Sequence, residues 1–135
     1  MEDIIAPSPN MLYEAVLKCL DEMRFGPPYY ALMIDNLSFG GRGFGNSFLW
    51  SPDSRFFAVQ EWESTSEGQG PKTRLLLIDF ETQRECVLSG ADGGFIVPKQ
   101  FEDDKLIYTK KYPGKGVENE FEIEFITLNR WENIK

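Results

Sequence analysis

Histidine is absent from the 135 residues, and cysteine occurs only twice. Without an imidazole there is no Ser-His-Asp or Cys-His nucleophile, no His-ligated metal and no imidazole pH switch. Cys19 and Cys86 match no metal-ligand spacing. Two cysteines are also few for a disulfide-stapled domain, so they read as buried free thiols. Basic residues are scarce too: 14 Lys and Arg face 22 Asp and Glu, for a formal charge of −8. Such a surface repels a phosphate backbone, so no nucleic-acid partner is expected. A basic protein would instead be attracted and steered to it. The same charge would also serve solubility alone. No apolar run is long enough to span a membrane, and Met1-Glu2-Asp3-Ile4-Ile5 has no basic n-region. No membrane partner or export signal is therefore expected, and the expected location is cytoplasmic.

What is present is material for a core. Hydrophobic residues make up 41% of the chain and aromatics 14%, which argues against extensive disorder. The expectation is one domain over residues 1–135, α+β and mainly β. Ser8 reads as a helix N-cap and Pro9 as the first helical residue. Leu12, Ala15, Val16, Cys19, Leu20 and Met23 recur at helical spacing, and Gly26-Pro27-Pro28 ends the run. This predicts one N-terminal helix over about residues 9–24. An antiparallel meander of about eight strands should follow over 29–128. Its strands are read at 29–37, 47–50, 55–62, 72–80, 84–88, 95–97, 105–112 and 120–128. The glycine-dense stretch 39–46 and the polar stretch 64–71 read as loops.

A weak internal repeat runs through the strands. Asp53-Ser54-Arg55-Phe56-Phe57-Ala58-Val59 aligns with Asp103-Asp104-Lys105-Leu106-Ile107-Tyr108-Thr109 at an offset of 50. Leu75-Leu76-Leu77-Ile78-Asp79 aligns with Phe125-Ile126-Thr127-Leu128-Asn129 at the same offset. A period near 50 suits a four-stranded propeller blade. Residues 48–82 resemble such a blade, of the WD-repeat or TolB type. The resemblance rests on Trp50-Ser51-Pro52-Asp53-Ser54 and on Asp79-Phe80-Glu81-Thr82-Gln83, with Ser54 and Gln83 where glycine is usual. It implies two blade-like units and no closed ring, since a ring needs at least four blades. It carries no active site with it.

Candidate chemistry is sparse. Gly40-Gly41-Arg42-Gly43-Phe44-Gly45 matches neither phosphate-loop pattern, and strand signals follow it. It reads as a hairpin connection, with an anion nest beside Arg42 as the alternative. Glu102-Asp103-Asp104 lacks the alternating ligand spacing of a calcium loop and reads as a turn. No pair of carboxylates is marked for glycosidase chemistry. The chain is read as a non-enzyme with no cofactor and no metal.

The most informative polar feature is Glu118-Asn119-Glu120-Phe121-Glu122-Ile123-Glu124-Phe125. On a strand, Phe121, Ile123 and Phe125 share one face and Glu118, Glu120, Glu122 and Glu124 the other. Same-face neighbours lie roughly 7 Å apart, so the carboxylates repel one another unless cations sit close. One reading is a solvated face balanced by Lys110 and Lys111; the other is a docking surface for a basic protein. Trp62, flanked by Glu61 and Glu63, and Tyr112 beside Pro113-Gly114 read as aromatic anchors of that surface. In size, acidity and lack of enzyme motifs the chain is similar to bacterial toxin-immunity proteins, including those of contact-dependent growth inhibition. That likeness implies a cytoplasmic inhibitor covering the active site of a basic, nuclease-type toxin domain. A general protein-interaction module, or a propeller-related fragment, is the alternative.

Overall fold

The computed structural model describes residues 3–22, 28–64 and 71–134, and every regular element in them is a β-strand. In chain order these are β1 (Ile4–Pro7), β2 (Glu14–Glu22), β3 (Pro28–Ile34), β4 (Leu37–Ser38), β5 (Gly43–Trp50) and β6 (Phe56–Ser64). They continue as β7 (Lys72–Asp79), β8 (Arg84–Asp92), β9 (Phe95–Glu102), β10 (Lys105–Tyr112), β11 (Val117–Glu124) and β12 (Glu132–Asn133). One open sheet runs β1-β2-β3-β5-β6-β7-β8-β12, with β4 also paired to β3. A second open sheet runs β11-β10-β9. All named strand pairs are antiparallel.

Strands β6 and β7 are apolar on both faces, and the architecture follows from covering both. Phe57, Val59, Leu76 and Ile78 enter one core cluster with Ala15, Leu17, Leu32 and Ile34 from β2 and β3. Phe56, Ala58, Leu75 and Leu77 enter a second cluster with Ile96, Leu106 and Tyr108 of the smaller sheet. The large sheet therefore curls its N-terminal strands over one side of β6–β7, while the small sheet covers the other. Fully burying a side chain of this size contributes about 1.5–3 kcal/mol, so these two strands anchor the molecule.

The N-terminal helix expected over residues 9–24 is not formed in the described part; residues 14–22 are strand β2. Ala15 and Leu17 are fully buried, whereas Leu12 and Leu20 are 73% and 53% exposed. The letters carry both periods, and the two-residue one buries Leu17, which the helical stripe left out. Ser8 does bond a downstream N–H as a helix cap would, but within a hairpin turn: the Tyr13 N–H donates to Ser8 Oγ at 3.0 Å. Met23, Gly26 and Pro27, the end of the expected helix, lie outside the described residues, as does most of the 64–71 loop. The stretch expected as a loop over 39–46 already enters β5 at Gly43.

That hairpin turn is a copy of another. Ser8-Pro9-Asn10-Met11 and Ser51-Pro52-Asp53-Ser54 share the same internal hydrogen bonds, and the Asn10 N–H links the two turns by donating to Ser54 Oγ at 2.9 Å. The Ser8 N–H donates to the Tyr13 carbonyl at 2.8 Å, and the Ser51 N–H to that of Phe56 at 2.9 Å. Each serine hydroxyl donates to the Asx side chain two residues on, at 2.8 and 2.6 Å. The fourth residue of each turn is left-handed: Met11 at φ 63° and Ser54 at φ 64°. Asp103, between β9 and β10, repeats this at φ 53°, and Asp35 and Gln83 do so after β3 and β7. The Ser51 turn of the blade resemblance thus has a copy at the N-terminus, where the helix was expected. The copies are not separate blades, because β3 passes its pairing on to β5 within one sheet.

The second turn of the blade resemblance also takes its expected form. Asp79 accepts from the Glu81 N–H at 2.9 Å and from Thr82 Oγ1 at 2.9 Å. Gln83 occupies the left-handed position usual for glycine, at φ 58°. Gln83→Gly removes roughly 1–2 kcal/mol of left-handed strain against an entropic cost of about 0.5–1. Stability should therefore rise by about 0.5–1 kcal/mol, read as a higher urea midpoint at unchanged slope. A lower midpoint would mean that the Gln83 Nε2 bond to the Phe80 carbonyl, 3.2 Å long, outweighs the strain.

Candidate protein-docking face

Among the described residues β11 is an edge strand, paired only to β10. Its register sets Glu118 opposite Lys111, Glu120 opposite Thr109, Glu122 opposite Ile107 and Glu124 opposite Lys105. All four glutamates are exposed and share one face. The other face carries Phe121 opposite Tyr108, their rings stacked at 5.6 Å, and Ile123 opposite Leu106. This is the alternation expected from the sequence. The charge balance differs from expectation, because Lys110 lies on the reverse face with its ammonium 5.1 Å from the Phe121 ring centre. Lys105 takes its place, with Nζ 3.7 Å from Glu122 Oε1. Both partners are about half-exposed, so this pair relieves little of the repulsion. Glu102, opposite Lys105 on β9, and Asp103 and Asp104 in the next turn extend the acidic ribbon at its Glu124 end.

The expected aromatic anchors divide. Tyr112, at the end of β10, is half-buried, with Lys115 Nζ 5.8 Å from its ring centre. Glu63 is exposed and faces Lys72 at 3.6 Å. Trp62 and Glu61 are not surface groups, being only 5% and 3% exposed. They sit on β6, an inner strand of the large sheet. Trp62 packs edge-on against Phe95 of β9 with ring centres 5.6 Å apart. Its indole N–H is buried without a hydrogen-bond partner.

Glu61 instead organises a buried ionic cluster. Arg42 grips it with two bonds, Nε to Oε2 at 2.7 Å and Nη2 to Oε1 at 3.0 Å. Arg42 Nη1 also reaches Glu85 at 2.8 Å, and Arg74 Nε reaches Glu61 at 2.8 Å. The Arg42 guanidinium lies 5.6 and 5.7 Å from the ring centres of Phe39 and Phe44. Burial opposes charge at both central groups, but the mutual hydrogen bonds prevail. They hold the Glu61 carboxyl below the usual glutamate range and Arg42 above the usual arginine range. The cluster floors a cleft of about 700 Å³ that Arg130 and Glu132 also line. With Arg42 committed to two carboxylates, the anion nest weighed for this loop does not form. The cluster left little mark in the sequence, because Glu61, Arg74 and Glu85 stand in strands that also carry Glu63, Lys72 and Arg84, and only the fold separates the buried charges from the exposed ones.

Cys19 and Cys86 are both free; Cys86 is buried, and burial pushes its thiol pKa up. Among the described residues, no group of three or more Cys, Asp or Glu side chains is placed to hold a metal ion. The chain matches no known protein-family model, no curated protein and no solved structure.

Proposed function

We propose that this chain is a non-enzymatic, protein-binding inhibitor of the toxin-immunity kind, acting in the cytoplasm on a basic, nuclease-type toxin domain. One observation carries the reading: four exposed glutamates in a row on an edge strand, with only Lys105 and Lys111 on the same face of the neighbouring strand. Their mutual repulsion is a cost of the free protein that cationic side chains of a partner would relieve. Glu118, Glu120, Glu122 and Glu124 supply the charge; Tyr112, opposite Val117, lies on the reverse face and packs against the second core cluster, so it is not one of the anchors. Covering a basic cleft in this way would block access of RNA or DNA to it.

Co-expression with a toxin domain encoded beside the gene should restore growth. The triple variant Glu120→Gln, Glu122→Gln, Glu124→Gln should associate about ten times more slowly at low salt and lose most of its salt dependence. Absence of protection, or unchanged association kinetics, would sink the reading. The recurrence of one turn at Ser8 and Ser51 favours a second reading, a propeller-related interaction module that binds a partner within a cellular assembly. That reading gains if the partner recovered by affinity capture is a stable assembly component rather than a toxin.

A further inference from the structure

The ladder between β10 and β11 decides where the backbone of β11 points. The Phe125 N–H donates to the Asp104 carbonyl at 3.1 Å, which makes that pair a hydrogen-bonded one. In an antiparallel ladder such pairs alternate with pairs that make no bonds. Residues 117, 119, 121 and 123 therefore turn their backbone groups toward β10. The four glutamates turn theirs outward, to the open edge. The same four residues thus present both the carboxylates and the free N–H and C=O groups. Beside them Val117 and Phe121 are 43% and 40% exposed on the opposite face.

We propose that β11 takes its partner by strand addition: a basic segment, with Lys or Arg at alternate positions and apolar residues between, pairs antiparallel with this edge. The inference rests on the docking reading above and adds its geometry. Each cationic side chain would lie opposite a glutamate, 4.5–5.5 Å away between Cβ atoms by the usual cross-strand spacing of about that size. The interleaved apolar residues would cover Val117 and Phe121. A second copy of this chain is the wrong occupant, because edge-to-edge pairing would set glutamates against glutamates. The row thus guards the edge against self-association while leaving it open to a strand of opposite charge.

The test uses the whole protein and a fluorescein-labelled peptide, acetyl-Lys-Val-Lys-Val-Lys-Val-Lys-amide, followed by fluorescence anisotropy. A peptide with the four lysines and three valines in separate blocks is its control. The alternating peptide should bind at least about tenfold tighter, since only it satisfies charge and backbone together. N-methylating its two central lysine amides, which would face β11, should cost about tenfold, and N-methylating two valine amides, which would face away, little. Binding should also weaken with Glu120, Glu122 and Glu124 changed to Gln. Equal affinity of alternating and blocked peptides, or equal losses on methylating lysine and valine amides, would overturn strand addition and leave acidic docking standing. Indifference to the glutamine changes, or no peptide binding at low salt, would also overturn strand addition. Only a failure of toxin protection as well would bring down the docking reading itself.

Discussion

Arg42→Met should destabilise the protein by about 3–5 kcal/mol, because it strands buried carboxylates without their partner. Arg42 makes both bonds of the bidentate contact to Glu61 and a third to Glu85. The Glu61 and Glu85 side chains are only 4% and 7% exposed, so water from the cleft would replace it poorly. Arg74 would remain as Glu61's partner, but Glu85 would lose its salt bridge to Arg42, the one it makes among the described residues. Against a typical total stability of about 5–15 kcal/mol, this loss would bring the variant close to unfolding. Arg55→Met is the comparison. Arg55 also grips a carboxylate, that of Asp79, but is itself a third exposed, so its loss should cost about 1 kcal/mol.

Acid should narrow the gap between wild type and Arg42→Met. Glu61 has a folded pKa below its ordinary value of 4.5. The stability it contributes is therefore complete above that ordinary value and is lost as pH falls through the lower folded one. In the variant, Glu61 keeps only its bond to Arg74, so less of that stabilisation is there to lose. Urea titrations at about pH 7 and about pH 4 would read both effects. A loss below about 1 kcal/mol at neutral pH would mean that the cluster is solvated and contributes little.

Phe57→Ala should cost about 3–5 kcal/mol, the usual range for deleting a buried ring. Phe57 is fully buried near the start of β6, with Trp50 and Phe48 at 4.8 and 5.7 Å between ring centres. These neighbours come from β5, whose ladder to β6 is already interrupted between Phe44 and Phe48. Phe121→Ala, at the 40% exposed ring on the edge strand, should cost about 1 kcal/mol or less. Chemical denaturation of the two variants side by side checks the contrast. Equal losses would mean that β6 is not the centre of the core.

Much of the sheet was legible in the sequence, and the failures have a common cause. β10 is found at its expected bounds, and β6, β7 and β8 begin within a residue of theirs. These strands are apolar on both faces or alternate cleanly, so no helical period competes. β2 differs because Ala15, Val16, Cys19 and Leu20 fit a helical stripe while Ala15, Leu17 and Cys19 fit a strand. Tertiary cover decided between them: β3 pairs with β2, Ala15 and Leu17 enter the core, Cys19 is half-buried, and Leu20 of the helical stripe is exposed. The glutamate row was legible because the chain alternates strictly between glutamate and apolar residues from Glu120 to Phe125. Trp62 and Glu61 were misplaced because nothing local reveals that β6 is an inner strand covered by β9 and by the Arg42 segment. Lys105 was overlooked as the lysine facing the row, since register is a property of two strands and not of one.

The order of strands bears on how the chain reaches this state. From β1 to β3, from β5 to β8 and from β9 to β11, each strand pairs with its immediate successor. Such neighbouring contacts need only short loops to close, which keeps the entropic barrier to each step low. Folding can then start at any of several hairpins and spread outward. β12 is the exception, because Glu132 must find Glu85 across the entire β9–β11 sheet. That pairing closes the longest loop of any ladder in the molecule, for only two bridged residues. Loop-closure entropy therefore favours its forming late, after the strands that line the cleft are in place.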